Sequence, residues 1–508
     1  MLRNLMAERF QEIFSKRTAE ETRTLAHTKR FLERFVADPT FRMAIEINIE
    51  ASQRVSEAYG IAIDPRQALP LFQPDHTRYR SLPNSVERWP VAKVWDDYRA
   101  ELDECRELFC RASGCADKSP RFHAWRQRQI RRTESEIGLP TKVITHPMLA
   151  FELSDGCSVG CWFCGFSAGR FRGSFLYSTQ NAKLWREILE QTVDLFGTAA
   201  QAGLCYWATD PCDNPDYPKF IEDYYHATGN LPKTTTAAPL KDLEFTRKVL
   251  GLSAQHPCFI NRFSILTLKT FNAVQEIFSA EELMRVDLVL QNRESLSPKK
   301  PVGRAREREQ KRTGSGPATA PLVEANRSTL ASLSGFLVNM VERTIKLITP
   351  TRTSERWPLG YRVLGERSFG DARDFRAGID DLILACMPQE LSSADIVSFR
   401  QDLNYSPTDD GFELRAVNAR YSLRGFAGAR QLGDMIHEGG KTAGQIRSAL
   451  VRCGSDIVVA TDVLQKLFDR GLLNDDPKLG GVGSRGPAAD RKAIILSATA
   501  ALELSARS

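Results

Sequence analysis

No stretch of this chain reaches the ~18 consecutive apolar residues of a membrane-spanning helix. The opening residues Met1-Leu2-Arg3-Asn4-Leu5 lack the apolar core of a secretory signal, and Glu8 and Glu12 argue against a transit peptide. Without an export signal, the eleven cysteines of the 508-residue chain are expected to be reduced thiols, and their odd number agrees. Excess charge is also scarce. The net charge is +6, much of it concentrated in one segment, and no dense basic recognition helix is present, so no nucleic-acid surface is expected. These absences exclude a membrane protein and a disulfide scaffold, and the expected compartment is the cytoplasm. Length and an ordinary 42% hydrophobic content allow a large core in more than one domain.

What is present is Cys157-Ser158-Val159-Gly160-Cys161-Trp162-Phe163-Cys164, directly after the apolar run Met148 to Leu153. Three thiolates in CxxxCxxC spacing can hold three irons of a [4Fe–4S] cluster and leave the fourth iron open. A closed zinc site wants four ligands, usually as two pairs. No second cysteine pair lies close in sequence, and the nearest histidine, His146, sits at the opposite end of the candidate strand. Cys105, Cys110 and Cys115, spaced by five, cannot share one helical face and read as core thiols.

Around this motif the chain divides into three regions. Residues 1–140 read as mainly helical, with Leu32, Phe35 and Val36 on one face and a break at Asp38-Pro39. From 141 to 423, candidate strands at Met148–Leu153, Gly203–Thr209, Lys233–Ala237, Arg262–Leu266 and Asp287–Gln291 alternate with helical segments such as Ala182–Leu195 and Leu240–Leu250. This alternation predicts an α/β region with a parallel sheet. A polar, Lys- and Arg-rich segment near 293–321 reads as a mobile insertion or lid. From 424 to 508, three short helical patterns follow, the second capped by Thr442, in a layout resembling a small winged-helix module.

The cysteine motif on a loop after a strand resembles the radical S-adenosylmethionine superfamily. The resemblance implies a partial (β/α)6 barrel, a [4Fe–4S] cluster held by Cys157, Cys161 and Cys164, and S-adenosylmethionine as cofactor. It further implies that Phe163 sits near adenine. At the end of the second strand the superfamily commonly binds the cofactor's amino group. Here Thr209 and Asp210 offer a hydroxyl and a carboxylate, while Ser264 and Gln291 are candidates for ribose or carboxylate.

Further stretches narrow the resemblance: Lys29 to Phe35 with Asp38-Pro39, Ala208-Thr209-Asp210-Pro211 with Asp213-Asn214-Pro215, Thr234 to Ala237, and Ser354 to Tyr361. Together they resemble the radical S-adenosylmethionine epimerases that mature ribosomally made peptides, the polytheonamide type. That family implies an isomerase acting on a precursor peptide with a leader and needing an external one-electron reductant. A 5′-deoxyadenosyl radical takes the Cα hydrogen of an L-residue, and a protein thiol returns hydrogen to the opposite face. Cys386 is the first candidate for that thiol, with Cys212 and Cys258 next. Alternatives are another radical peptide modification, such as thioether crosslinking or methylation, or a non-catalytic leader-peptide binder.

Overall fold

The computed structural model describes residues 2–77, 85–112, 114, 117–138, 145–298, 302–313 and 331–476. Cys115, the Gly-Ser-Gly stretch at 314–316 and the tail from 477 lie outside the described residues. The chain forms two compact units. The first comprises residues 1–114, 148–305 and 338–343, and the second 115–147, 306–337 and 344–508.

In the first unit, local capping sets the helices. Thr18 opens the helix Ala19–Ala37 through a capping box with Glu21. Asp38 ends that helix and caps the next, Pro39–Ile47, by accepting hydrogen bonds from Thr40 and Phe41 N–H at 2.9 and 3.3 Å. The break expected at Asp38-Pro39 is therefore a helix-to-helix corner. Phe31, Phe35, Phe41 and Ile45 close over it as one buried cluster.

The strands β1 (Leu149–Glu152), β2 (Ser154–Asp155), β3 (Gly173–Ser174), β4 (Thr235–Thr236), β5 (Asn261–Ile265) and β6 (Val286–Leu290) follow in order. β4, β5 and β6 form a parallel sheet in that spatial order. Helices Thr179–Phe196, Tyr217–Thr228, Leu243–Gln255 and Leu268–Ile277 lie between the strands, as the alternation predicts. In β5 and β6 every second residue is buried. Phe263, Ile265, Val286, Leu288 and Leu290 pack on Phe271, Val274 and Phe278 of the helical layer. Arg262, Ser264, Asp287 and Val289 point to the other face.

The strand expected at Gly203–Thr209 is reduced to one parallel bridge, Ala150 to Leu204. The reason lies in its next hydrogen bonds: the Ala208 N–H goes to the Glu152 carboxylate at 2.9 Å rather than into a ladder. Among the described residues the sheets do not close into a barrel.

β7 (Gly335–Asn339) is buried throughout. In the second unit β8 (Thr344–Pro350) pairs antiparallel with β9 (Tyr361–Ser368), with a register shift between Leu347 and Ile348. The helix Ala372–Cys386 packs on this hairpin. Then β10 (Asn404–Thr408), β11 (Gly411–Arg415) and β12 (Arg420–Arg424) form an antiparallel meander. Helices Ala429–Glu438, Ala443–Arg452 and Ile457–Asp469 follow, close to the three expected patterns, and Thr442 forms a capping box with Gln445. One core, from Val397 to Leu473, joins this sheet to these helices.

A buried ion network pins the end of the described chain to the helix Pro120–Ile137. The fully buried Arg362 donates to Asp475 at 2.6 Å and Asp476 at 2.8 Å, and Arg132 pairs with both carboxylates.

Candidate functional site

The loop holding the three cysteines is closed at its base by backbone geometry. Gly156 has φ +72°, and a Cβ there would stand 2.1 Å from the Arg170 carbonyl oxygen, so only glycine fits. Cys157 N–H donates to the Gly169 carbonyl at 3.0 Å, and β2 pairs antiparallel with β3 just below. Residues 157–170 thus form a closed loop whose ends meet.

Within the loop the chain turns tightly. Cys164 N–H donates to the Cys161 carbonyl at 3.3 Å, and Ala168 N–H points at the Cys164 sulfur at 3.4 Å. Cys157, Cys161 and Cys164 are all half-buried free cysteines. Burial pushes the Cys161 thiol up to about 12, with further upward pressure from Cys157 and Cys164. Burial raises Cys157 as well. Cys157 and Cys161 are therefore neutral thiols unless a cationic centre draws off their protons.

Among the described residues, no group of three or more His, Cys, Asp or Glu side chains is placed to hold a metal ion. Thiolates on separate irons of a four-iron cluster span a wider gap than the ligands of one ion, and here three soft donors share one loop. An N–H aimed at a ligating sulfur is the kind of contact that surrounds such clusters. The donor set fits the group.

The turn after Leu204 meets this loop through residues other than those expected. Burial raises the Asp210 carboxyl. Its oxygens accept from Cys212 N–H at 3.0 Å, the Thr236 hydroxyl at 2.7 Å and Ala237 N–H at 2.7 Å. Asp210 thus fastens the turn to the end of β4, with the half-buried Thr209 beside it. The contact with the cysteine loop belongs to Asp213, which accepts from both the N–H and the hydroxyl of Ser158 and from Lys241 at 3.0 Å. Asn214 adds bonds to the Leu153 and Phe175 carbonyls at 3.0 and 2.8 Å. The carboxylate before Asn-Pro was the available signal in the sequence.

Phe163 is half-buried, edge-on to Trp162 at 5.3 Å, and Phe166 packs on Trp207 at 4.5 Å. Ser264 lies on β5 opposite Val289, on the face away from the helices. Gln291 follows β6, its N–H donating to the Ile265 carbonyl at 2.8 Å. The cysteine loop, the Thr209-Asp210 turn, Ser264 and Gln291 thus all sit at or just past C-terminal strand ends of one unit, where parallel sheets place ligands.

Comparison with known proteins gives a relationship over nearly the whole length. The chain is 43% identical over 469 residues to the uncharacterized protein y4wI of Sinorhizobium fredii (strain NBRC 101917 / NGR234), covering 92% of this chain and 91% of the relative. The chain belongs to the y4wI family. Residues 397–471 match the y4wI C-terminal domain family, and these bounds coincide closely with the core running from Val397 to Leu473. No solved structure matches the chain.

In this y4wI-family chain Cys386 belongs to the second unit and the cysteine loop to the first. It ends the helix Ala372–Cys386, is half-buried, and its sulfur donates to the Leu364 carbonyl at 3.5 Å. Burial raises its pKa, so it stays a thiol at neutral pH. Cys212 shares the first unit with the loop; burial and Asp210 push its thiol up to about 12. Cys258 is buried with its sulfur against the Phe259 carbonyl. No described helix is long and apolar enough to cross a membrane.

Proposed function

We propose that the chain is a radical S-adenosylmethionine peptide epimerase, converting L- to D-residues in a ribosomally synthesised precursor peptide. The observation that carries this reading is the closed loop after β1 that gathers Cys157, Cys161 and Cys164. When bound, a [4Fe–4S] cluster with S-adenosylmethionine would supply the 5′-deoxyadenosyl radical that takes a Cα hydrogen.

The chain's own residues then have defined tasks. Cys157, Cys161 and Cys164 hold the cluster. Thr209, Asp210, Ser264 and Gln291 occupy the strand ends suited to the cofactor's amino, carboxylate and ribose groups, and Phe163 offers an aromatic face. Cys386 returns the hydrogen, for which it must carry S–H rather than S⁻, and its raised pKa meets that requirement. The sheet with its surrounding helices is read as the partial (β/α)6 barrel of this superfamily. The C-terminal module, read as winged-helix-like, would hold the leader.

The test is anaerobic incubation of reconstituted protein with S-adenosylmethionine, a one-electron reductant, deuterated water and a precursor peptide encoded beside it. Deoxyadenosine, with a gain of about one mass unit per modified residue and D-amino acids on hydrolysis, is the expected result. Deoxyadenosine with a two-unit loss or a methyl gain would replace epimerisation by crosslinking or methylation. A protein that binds no iron would leave a peptide-binding role.

A further inference from the structure

The segment after β6, which its composition marks as a mobile insertion or lid, is fastened at several points among its described residues. Asn292 donates to the Ala37 carbonyl at 2.9 Å, and Leu296 N–H donates to the Val36 carbonyl at 3.0 Å. Arg293 stands over the Trp162 ring at 6.0 Å. Val302 is fully buried, and Gly303 then passes so close to the cysteine loop that a Cβ there would lie 2.3 Å from the Cys164 carbonyl oxygen and 2.6 Å from that of Gly165.

Arg304, the next residue, makes three bonds to the loop. Its N–H donates to the Cys164 carbonyl at 3.0 Å, and its guanidinium reaches the Cys161 carbonyl at 3.2 Å and the Ala168 carbonyl. Those carbonyls belong to the second cysteine, the third cysteine and the residue whose N–H meets the third sulfur. A planar guanidinium can span two carbonyls at once, whereas an ammonium is a single point donor. The glycine before it lets the backbone approach closely enough for the third bond.

We propose that Arg304 is the positioning residue of the three-cysteine loop, clamping Cys161, Cys164 and Ala168 in the arrangement that receives the cluster. Its part in cluster assembly rests on the proposed function; its hold on the loop does not. The guanidinium bonds carbonyls rather than sulfur, so it acts through the loop and is not itself a ligand.

The experiment uses the full chain as wild type, Arg304→Ala, Arg304→Lys and Gly303→Ala, each checked for native circular dichroism. In protein stripped of metal by a chelator, the rate at which iodoacetamide labels each cysteine is read by mass spectrometry. Cys205 and Cys258, both buried, serve as internal controls. Loss of two charge-assisted bonds should speed labelling of Cys161 and Cys164 by about tenfold or more, with the controls unchanged. Arg304→Lys should behave like Arg304→Ala, because one ammonium cannot replace the fork, and Gly303→Ala should match them without any change of charge. Anaerobically reconstituted variants should then lose visible cluster absorbance to a chelator faster than wild type by a similar factor.

Wild-type labelling rates in both Arg304 variants would overturn the proposal. So would full rescue by lysine. If wild type takes up no iron while the labelling difference holds, the clamp stands and the cluster reading falls.

Discussion

Asp213 accepts hydrogen bonds from both the backbone N–H and the hydroxyl of Ser158, the residue that follows the first cysteine of the loop. Its side chain is 1% exposed, and the half-exposed Lys241 completes its surroundings. This one carboxylate joins the turn after Leu204 to the cysteine loop.

Asp213→Ala should therefore loosen the loop. It removes the acceptor of the Ser158 N–H and hydroxyl, at a loss of about 0.5–1.5 kcal/mol, since Ser158 is exposed and water can take the place of the carboxylate. Asp213→Asn keeps one acceptor and should fall between wild type and alanine. Thermal unfolding and iron content per chain after reconstitution are the measurements, and an iron content equal to wild type in Asp213→Ala would deny the link.

How much of this was legible in advance follows from how local each determinant is. That the three cysteines lie on a loop could be read from the apolar run that ends just before them and the glycines at 156 and 160. Helix starts could be read from caps complete within four residues, as with Thr18 and Glu21 or Thr442 and Gln445. The second strand could not, because Ala208 finds its acceptor on Glu152, 56 positions away. β10 and β12 escaped notice for another reason. Their burial patterns leave most residues exposed or half-exposed, and Leu423 on β12 joins Phe412 and Leu414 of β11 in the core. Arg362 carried no local signal, because its partners lie more than 100 residues later in the chain.

That arginine supplies the second prediction. Arg362 is fully buried and holds Asp475 and Asp476, and Arg362 and Arg132 keep the Asp475 carboxyl well below the usual carboxylate range against burial's opposite push. Arg362→Ala leaves the quarter-exposed Asp475 and Asp476 with Arg132 as their remaining partner and should destabilise the second unit by about 1–3 kcal/mol. The Asp475 contribution is present above the ordinary carboxylate value and is lost as pH falls toward the depressed one. Denaturant unfolding at neutral pH and below pH 4 checks both. The mutant's deficit should shrink in acid, and a constant deficit would contradict the charge argument.

His146 supplies a prediction at milder pH. It is buried with a left-handed backbone at φ +45°, its Nδ1 lies 2.8 Å from the Ser334 hydroxyl, and its carbonyl accepts from Arg126. Burial, with Arg126 adding, pushes its pKa down to about 3. The folded ring thus stays neutral where the unfolded one, near 6.5, takes a proton. Stability from this group is fully kept above about pH 6.5 and falls by about 1.4 kcal/mol for each unit below it, until the folded value is reached. Comparing wild type with His146→Gln between pH 7 and 5 isolates the effect. Wild type should lose stability more steeply, and parallel curves would mean that the ring titrates alike in the folded and unfolded chain.

The last prediction separates the two halves of the proposed reaction. Cys386 is a half-buried thiol whose raised pKa keeps hydrogen on sulfur, and its sulfur rests against the Leu364 carbonyl. Alanine at this position removes the proposed hydrogen donor and leaves the three cysteines of the loop in place. Cys386→Ala should therefore bind iron like wild type and still form deoxyadenosine, yet produce no deuterium-labelled D-residue. Cys212→Ala is the decisive comparison, because Cys212 sits on the Asp210 turn of the unit that holds the loop. If Cys386→Ala still makes D-residues while Cys212→Ala does not, the donor is the thiol beside Thr236. In that outcome the hydrogen returns from within the same unit that abstracts it, and the helix Ala372–Cys386 carries Cys386 only as a packed thiol.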